Sequence, residues 1–515
     1  MAKLRPMNAN DFSLDTLFRA NSRLHASNPV CVDGTQRLNY AELDARVDNL
    51  AHWMLAKGIA QGDRIAILLT DGAPYLTTLL ACGRIGAIAV LLNWRLAAGE
   101  IAWIMGNAEP AMTFTNPRFA ELLAQSDAGE TLEVDEQHDS QAIFETIVSR
   151  AAEKSSTFPD PPETRALYMM YTSGTTGRPK GCMQSGSAVA SSALGYSVRR
   201  HFSAQERLLS TNPMFHVVGM QQVAAMLACG GCCVFAGRDD DSPAILDLLH
   251  RESCTTSSAF PQISFPWQAM NPVRDGIMPL QKYTGGAGMG KPQIYEFIEQ
   301  DWDCRVVGGY GQTEICGFAT FIDYPDMVRH PKSIGWPMQH VEMSILDPDG
   351  NALPHGEEGE ICMRGPSAMM GYWRNEEASE AALGHGWLRS GDLGTMDERG
   401  LVYLLGRAKE LIKTGGENVY PAEVDAIFAE MPEVLDAGCA GVPDKQWGEA
   451  VKAFVVLQPD ASLSREEITA RFKDQIAGYK RPRYVEFVDQ LPRDPLGKLL
   501  RRELSERPVT PDQAS

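Results

Sequence analysis

The sequence predicts an α/β protein with a large N-terminal domain and a small α+β C-terminal domain. The large domain is expected to hold parallel-type sheets covered by helices, plus a β-rich subdomain. Three observations predict this. Short apolar strands alternate with helices of 3.6-residue period early in the chain, the rhythm of a parallel sheet with helices on its faces. Residues 340–405 carry short strands between Gly/Pro turns instead. A chain of 515 residues exceeds one core. We place the boundary so that the domains are 1–408 and 409–515.

The elements follow in order. Asn39-Tyr-Ala-Glu42 resembles a capping box, and Leu43, Val47, Leu50, Trp53 and Met54 then recur at helical spacing until Gly58. Residues 64–69 read as a strand, 73–85 as a helix and 87–92 as a strand. The polar, acidic stretch 125–140 reads as a surface segment, and the Ser/Pro-rich 155–162 as a loop. Residues 166–171 form the next strand, followed by a Gly-rich loop and a small-residue helix over 187–196. Strands are expected at 341–346, 360–363 and 401–404. Beyond the boundary, Val424, Ile427, Phe428 and Met431 mark a helix opened by Pro421, and 450–457 reads as a strand. Ser464-Arg-Glu-Glu467 is a capping box, and 484–488 is a last strand.

Composition narrows the function. The chain is 44% hydrophobic and 22% charged, ordinary for a globular enzyme. Its net charge, 47 − 66 = −19, argues against nucleic acid as a partner. An anionic ligand must therefore be held by local cations. The 11 cysteines are scattered, and Cys229-Gly-Gly-Cys232-Cys233 is a lone C-x-x-C without nearby His, which reads as packing thiols. The first eleven residues lack an apolar signal core, and the longest apolar stretch, 85–92, is too short to span a membrane. A reducing, cytoplasmic setting without a transmembrane segment is expected. The sequence does not fix the oligomeric state; a homodimer is compatible with it.

The chemistry centres on Tyr171-Thr-Ser-Gly-Thr-Thr-Gly-Arg-Pro-Lys-Gly181. Thr172, Ser173, Thr175 and Thr176 alternate with Gly174 and Gly177, and Lys180 follows. Glycine lets backbone N–H groups approach a ligand closely, so amides, hydroxyls and one ammonium can face a polyanion together. It is not a Walker A loop, because no Gly-Lys-Ser/Thr follows. Gly285-Gly-Ala-Gly-Met-Gly-Lys291 fits G-x-x-x-x-G-K, but Pro292 stands where a magnesium-binding hydroxyl is needed.

The loop 173–181 resembles the phosphate loop of the AMP-forming adenylating superfamily, which includes acyl- and aryl-CoA ligases, peptide-synthetase adenylation domains and firefly-type luciferases. Further matches, in order, are Pro213-Met-Phe-His216, Gly285-Gly-Ala287, Tyr310-Gly311-Gln312-Thr313-Glu314, Ser390-Gly-Asp392, Gly406-Arg-Ala-Lys-Glu410, Gly415-Gly-Glu-Asn418 and Pro495-Leu-Gly-Lys498. Each is weak alone; together they span most of the chain.

The resemblance implies ATP, magnesium and CoA as reactants, with catalysis mostly by positioning and positive charge. Thr172 to Lys180 would cradle the β- and γ-phosphates. Gly285, Gly286, Ala287 and Tyr310 would hold adenine, within a nucleotide site that includes Gly311 and Gln312. Thr313 would bind the α-phosphate and Glu314 would ligate magnesium, a hard cation that prefers carboxylate oxygen. Asp392 would accept from the ribose hydroxyls, although in isolation a turn Asp in Ser-Gly-Asp is the favoured reading. Arg407 would be a second ribose or phosphate contact, and Lys498 would reach the α-phosphate and the attacking carboxylate. Lys409 matches the hinge about which a mobile small domain turns. Gly415, Gly416 and Glu417 would line the pantetheine tunnel, or simply form a hairpin turn. Acyl-pocket candidates are His216, Val217, Gly219, Phe260, Gly309 and Cys316; His216 is either a pocket gate or a core histidine. Gly186 stands where members commonly have His.

The expected activity is thus an acid–thiol ligase that joins a carboxylic acid, fatty or otherwise apolar, to CoA through acyl-AMP. An aryl-CoA ligase is the nearest alternative. An amino-acid activator would place Asp beside Phe215, where this chain has His216. A luciferase-like oxygenase shares the adenylation half. A binding module without catalysis is disfavoured because Lys180, Glu314, Asp392 and Lys498 occur together.

Overall fold

The computed structural model describes residues 12–136, 139, 142–149, 158, 166–172, 178–258, 265–270, 272–274, 276–288, 292–473, 475–493, 497 and 499–510. The chain divides into two compact units: Met1–Met343 with Cys362–Arg389, and Ser344–Ile361 with Ser390–Ser515.

The first unit contains a seven-stranded sheet in the order Gly371–Tyr372, Lys180–Ser185, Ala166–Thr172, Ile88–Leu91, Arg64–Leu68, Met112–Thr115, Glu130–Glu133. The strands from Ala166–Thr172 to Glu130–Glu133 pair in parallel. The inner ones are apolar on both faces because helices cover both. The helix Ala73–Ile85 is buried along its whole length, with Pro74 in its first turn and Gly86 closing it at φ 82°. The Asn39–Glu42 capping box forms as read, each partner bonding the other's backbone.

Two stretches differ from the sequence reading. The expected surface segment also contains an edge strand, Glu130–Glu133, exposed at Glu130, Thr131 and Glu133; Leu132 and Val134 are buried, and pairing with Met112–Thr115 outweighs the acidic composition. The phosphate loop does not lead straight into a helix. The chain returns as the strand Lys180–Ser185, antiparallel to Ala166–Thr172, and the helix Gly186–Arg200 follows with Ser185 as N-cap.

The unit's second series of strands runs Ser333–Pro337, Gly317–Asp323, Arg305–Gln312, Lys282–Gly286, Thr256–Ser257, Arg207–Ser210, Cys232–Phe235, Pro29–Asp33, Gln36–Asn39. Pairing is parallel from Arg305–Gln312 to Pro29–Asp33 and antiparallel for the pairs at either end. The helices Gly186–Arg200 and Val217–Cys229 are mostly buried and rich in small residues. Cys232 and Cys233 are buried strand residues, and Cys229 is half-buried.

The second unit begins in the strands Glu342–Leu346, Gly359–Arg364, Leu388–Met396 and Val402–Arg407, neighbours in that order. Its remainder is a five-stranded sheet: Glu417–Val419, Ile412–Thr414, Gly448–Leu457 and Val434–Asp444, with Tyr484–Phe487 parallel to Gly448–Leu457. The helices Pro421–Phe428 and Arg465–Phe472 complete one apolar core, where the Phe428 and Phe472 rings lie 4.9 Å apart. The Ser464–Glu467 capping box is present. Among the described residues, no helix is long and apolar enough to cross a membrane.

Candidate active site

In the first unit, Lys180 opens its strand opposite Thr172, so the strand pair brackets the loop between them. Ser173, Gly174, Thr175, Thr176 and Gly177 lie outside the described residues. The Lys180 ammonium sits 5.2 Å from the centre of the Tyr372 ring. The Tyr372 hydroxyl donates to Glu314 Oε1 at 2.8 Å. Burial, then the Glu314 charge, pushes the Tyr372 phenol up, so it remains a donor. A cation, a phenol and a carboxylate thus form one cluster, drawn from the strands Lys180–Ser185 and Gly371–Tyr372 and the short turn at Thr313–Ile315. Met369 N–H donates to Glu314 O at 2.8 Å, fixing the turn from the Tyr372 side. Glu314 keeps acceptor capacity beyond the tyrosine bond, so it fits as the residue that would hold magnesium, whose chemical part is to neutralise phosphate charge.

Gly285 and Gly286 end the strand beside Gly308 and Gly309, and Ala287 follows, its N–H donating to Gly309 O at 3.0 Å. The open side of Gly285 faces the Tyr295 ring: an added Cβ would lie 2.4 Å from its Cζ. Gly286 N–H donates to the Tyr295 hydroxyl at 3.0 Å. Close approach by Tyr295 therefore already explains this glycine. Tyr310 is half-buried and accepts from Gln312 Nε2 at 3.4 Å. Gly311 packs on the Gly317 carbonyl, and any side chain there would collide with it.

His216 caps the helix Val217–Cys229, its Nδ1 accepting from Val218 N–H at 3.3 Å. Asp71 holds the segment before it, its two carboxylate oxygens 3.0 and 3.1 Å from Met214 N. Phe215 packs edge-on against Trp94 at 5.7 Å. Val217 is buried. Gly219 does not open a pocket, because its missing Cβ would lie 2.3 Å from the Asn212 and Pro213 carbonyl oxygens. At Gly309 the same test meets Phe318 at 2.5 Å and Phe321 at 2.8 Å. The Cys316 thiol bonds the Tyr168 hydroxyl at 3.3 Å, and burial pushes it up to about 12. Phe260 lies outside the described residues.

In the second unit, Asp392 is buried and pairs with Arg407 Nε at 2.6 Å, the two being register partners on adjacent strands. Gly415 and Gly416 have φ 61° and 88° and join Ile412–Thr414 to Glu417–Val419, a two-residue hairpin turn as composition allowed. Gly415 N–H donates to Trp447 O at 2.9 Å, and a Cβ there would lie 2.7 Å from the Trp447 ring. Glu417 and Lys409 are exposed; Lys409 lies in a turn closed by Glu410 N–H to Arg407 O at 3.0 Å. Lys498 lies outside the described residues.

Sequence reasoning missed Tyr372, Asp71, Gln184 and Gln221. Gln184 Nε2 donates to Thr313 O at 2.7 Å, and Gln221 accepts from Phe318 N–H. The aromatic pair Tyr372-Trp373 after a glycine was the available signal for the first; nothing local marked the others.

Residues 18–373 match the AMP-binding enzyme family, and residues 423–498 match the AMP-binding enzyme C-terminal domain. The chain belongs to this family. It is 33% identical over 472 residues to an indoleacetate–CoA ligase of Aromatoleum aromaticum, covering 90% of this chain and 91% of that one. It is 32% identical to a feruloyl-CoA synthase of an Amycolatopsis species, covering 92% and 94%. It is 31% identical to a long-chain-fatty-acid–CoA ligase of Mycobacterium tuberculosis, covering 92% and 93%. The structure of o-succinylbenzoate CoA synthetase of Bacillus subtilis with its acyl-adenylate intermediate superposes with a TM-score of 0.83 at 28% identity, covering 97% of this chain and 99% of that one.

Proposed function

We propose that this AMP-forming acid–CoA ligase activates an apolar carboxylic acid, fatty or aromatic, using ATP and magnesium, in the cytoplasm. The observation that carries the reading is the Lys180–Tyr372–Glu314 cluster, which gathers a cation and a carboxylate beside the Gly-rich loop. In adenylation the acid's carboxylate oxygen attacks the α-phosphorus and pyrophosphate leaves. The loop and Lys180 would hold the departing phosphates, Thr313 the α-phosphate, and Glu314 the metal. Asp392, oriented by Arg407, would accept from the ribose hydroxyls. The CoA thiol then displaces AMP from the acyl carbon. Of the described pocket candidates, Val217, Gly219, Gly309 and Cys316 are apolar or small and His216 is polar, with its Nδ1 already engaged by Val218 N–H, which favours an apolar tail.

The aromatic reading is favoured by two relatives named for indoleacetate and ferulate, and the aliphatic one by a relative named for long-chain fatty acids. The test is AMP release and thioester mass over a panel of aliphatic and aryl acids. Steady AMP release with a good acid should require CoA and yield its thioester. Equal turnover without CoA, with no thioester formed, rejects the ligase reading.

A further inference from the structure

We propose that Gln221 is a positioning residue that ties the helix behind the acid pocket to the turn bearing Thr313 and Glu314. The inference rests on the ligase reading. Three buried side chains hold this turn and the start of the strand that follows it by their backbone. Gln184 Nε2 donates to Thr313 O at 2.7 Å. Ser192 Oγ donates to Cys316 O at 2.7 Å. Gln221 Oε1 accepts from Phe318 N–H at 2.9 Å, while its Nε2 donates to Ser192 Oγ at 2.7 Å. Phe318, Gln221, Ser192 and Cys316 are thus joined in one continuous run of hydrogen bonds, with both ends of the Gln221 amide engaged.

The turn needs that support. Cys316 sits at φ 62°, a left-handed conformation unfavourable for a residue with a Cβ, and Gly317 at φ 113°. A Cβ on Gly317 would lie 2.5 Å from Gln221 Oε1, so glycine is what lets the amide lie against the turn. Gln221 is 2% exposed. Burying an amide is costly unless every donor and acceptor is matched, and among the described residues the match is made by the Phe318 backbone and by Ser192. Gln221 also lies one helical turn from Val217, on the helix that His216 caps. One rigid element therefore carries the proposed acid contacts at its start and the anchor of the adenylation turn a single turn later. The place of Thr313 and Glu314 is set from the acid side of the site.

The test uses the full chain. Wild-type AMP release is measured first; its absence with every acid overturns the ligase reading, and this inference with it. Given wild-type turnover, Gln221→Met should lower kcat of acyl-AMP formation on the order of 10- to 100-fold, because Phe318 N–H is left buried without its acceptor. KM for ATP should change less than kcat, since the phosphate loop and Lys180 are untouched and only the Thr313–Glu314 contacts shift. Gln221→Glu supplies the second readout. Burial favours its protonated form, which offers one acceptor and one donor as the amide does. Its titratable neighbours Cys316 and Tyr168 are both buried, and the Tyr168 hydroxyl is engaged by the Cys316 thiol. The rate of Gln221→Glu relative to wild type should therefore climb as pH is lowered, while the ratio for Gln221→Met stays flat. Wild-type kcat in a folded Gln221→Met, or a pH-independent ratio for Gln221→Glu, overturns the inference.

Discussion

The Tyr372 hydroxyl donates to Glu314 Oε1 across 2.8 Å, and Lys180 stands over the same ring. The phenol therefore fixes one carboxylate oxygen and leaves the rest of the group for a cation. Tyr372→Phe removes the donor and little else. A hydrogen bond to a charged acceptor contributes about 1.5–3 kcal/mol, so AMP-release kcat should fall roughly 10- to 100-fold and the magnesium requirement should rise. Titrating magnesium on both proteins checks this; an unchanged half-saturating concentration would mean that Glu314 is placed by its backbone alone.

Two half-buried groups set opposite pH slopes of stability. Burial pushes the Asp71 carboxyl from 3.8 up to about 7, against the pull of the Met214 N–H and Arg95. Between those values the folded state holds a proton that the unfolded chain has released. The Asp71 contribution to stability is thus greatest near pH 4 and declines as pH rises through 7. Burial lowers His340 from 6.5 to about 4, and no described residue bonds either ring nitrogen. Its contribution declines as pH falls through that window. Each slope is at most about 1.4 kcal/mol per pH unit. Asp71→Asn should gain stability relative to wild type as pH rises from 4 to 8, and His340→Phe should gain as pH falls. Urea unfolding at pH 4.5, 6 and 8 reads both. Flat differences would show that neither group titrates in that range.

Gly309 is held against Phe318 and Phe321. A bulkier residue must displace those rings, so Gly309→Val is expected to cost about 1–3 kcal/mol by overpacking. It should also raise KM for long or aromatic acids more than for short ones. The measurement is KM across a chain-length series, with melting as control. An unchanged preference alongside lowered melting would leave Gly309 as a packing residue outside the pocket.

The legible parts of the molecule are those fixed by short-range chemistry. The helix Ala73–Ile85 was readable because its apolar run begins with Pro74 and ends at Gly86. The capping boxes at Asn39 and Ser464 are complete within four residues. By contrast, Lys180–Ser185 becomes a strand only through pairing with Ala166–Thr172, and the glutamates of Glu130–Glu133 mask Leu132. Tyr372 and Gln221 act on partners 58 and 97 positions away, beyond the reach of any local pattern. The glycines were legible as close approaches, but not what approaches them: Tyr295 at Gly285, Phe318 at Gly309 and Trp447 at Gly415.

The last prediction separates the two half-reactions. Lys180 and Glu314 belong to one compact unit, and the Gly415–Gly416 turn to the other. Adenylation needs a cation at the α-phosphate, and thioester formation needs a path for pantetheine. The proposed roles of Lys498 and the glycine turn belong to different steps, and rotation about Lys409 is the proposed means of exchanging them. An ammonium placed where charge develops typically gives on the order of 100- to 1000-fold in rate. Lys498→Ala should lose acyl-AMP formation by about that factor and still convert supplied acyl-AMP and CoA to thioester. Lys409→Pro fixes φ and removes one backbone donor in an exposed turn. It should do the reverse, keeping adenylate formation and losing the thioester step. Single-turnover assays of each half-reaction on both variants decide the matter. If both variants lose both steps equally, with circular dichroism unchanged, the second unit does not serve the two steps in turn.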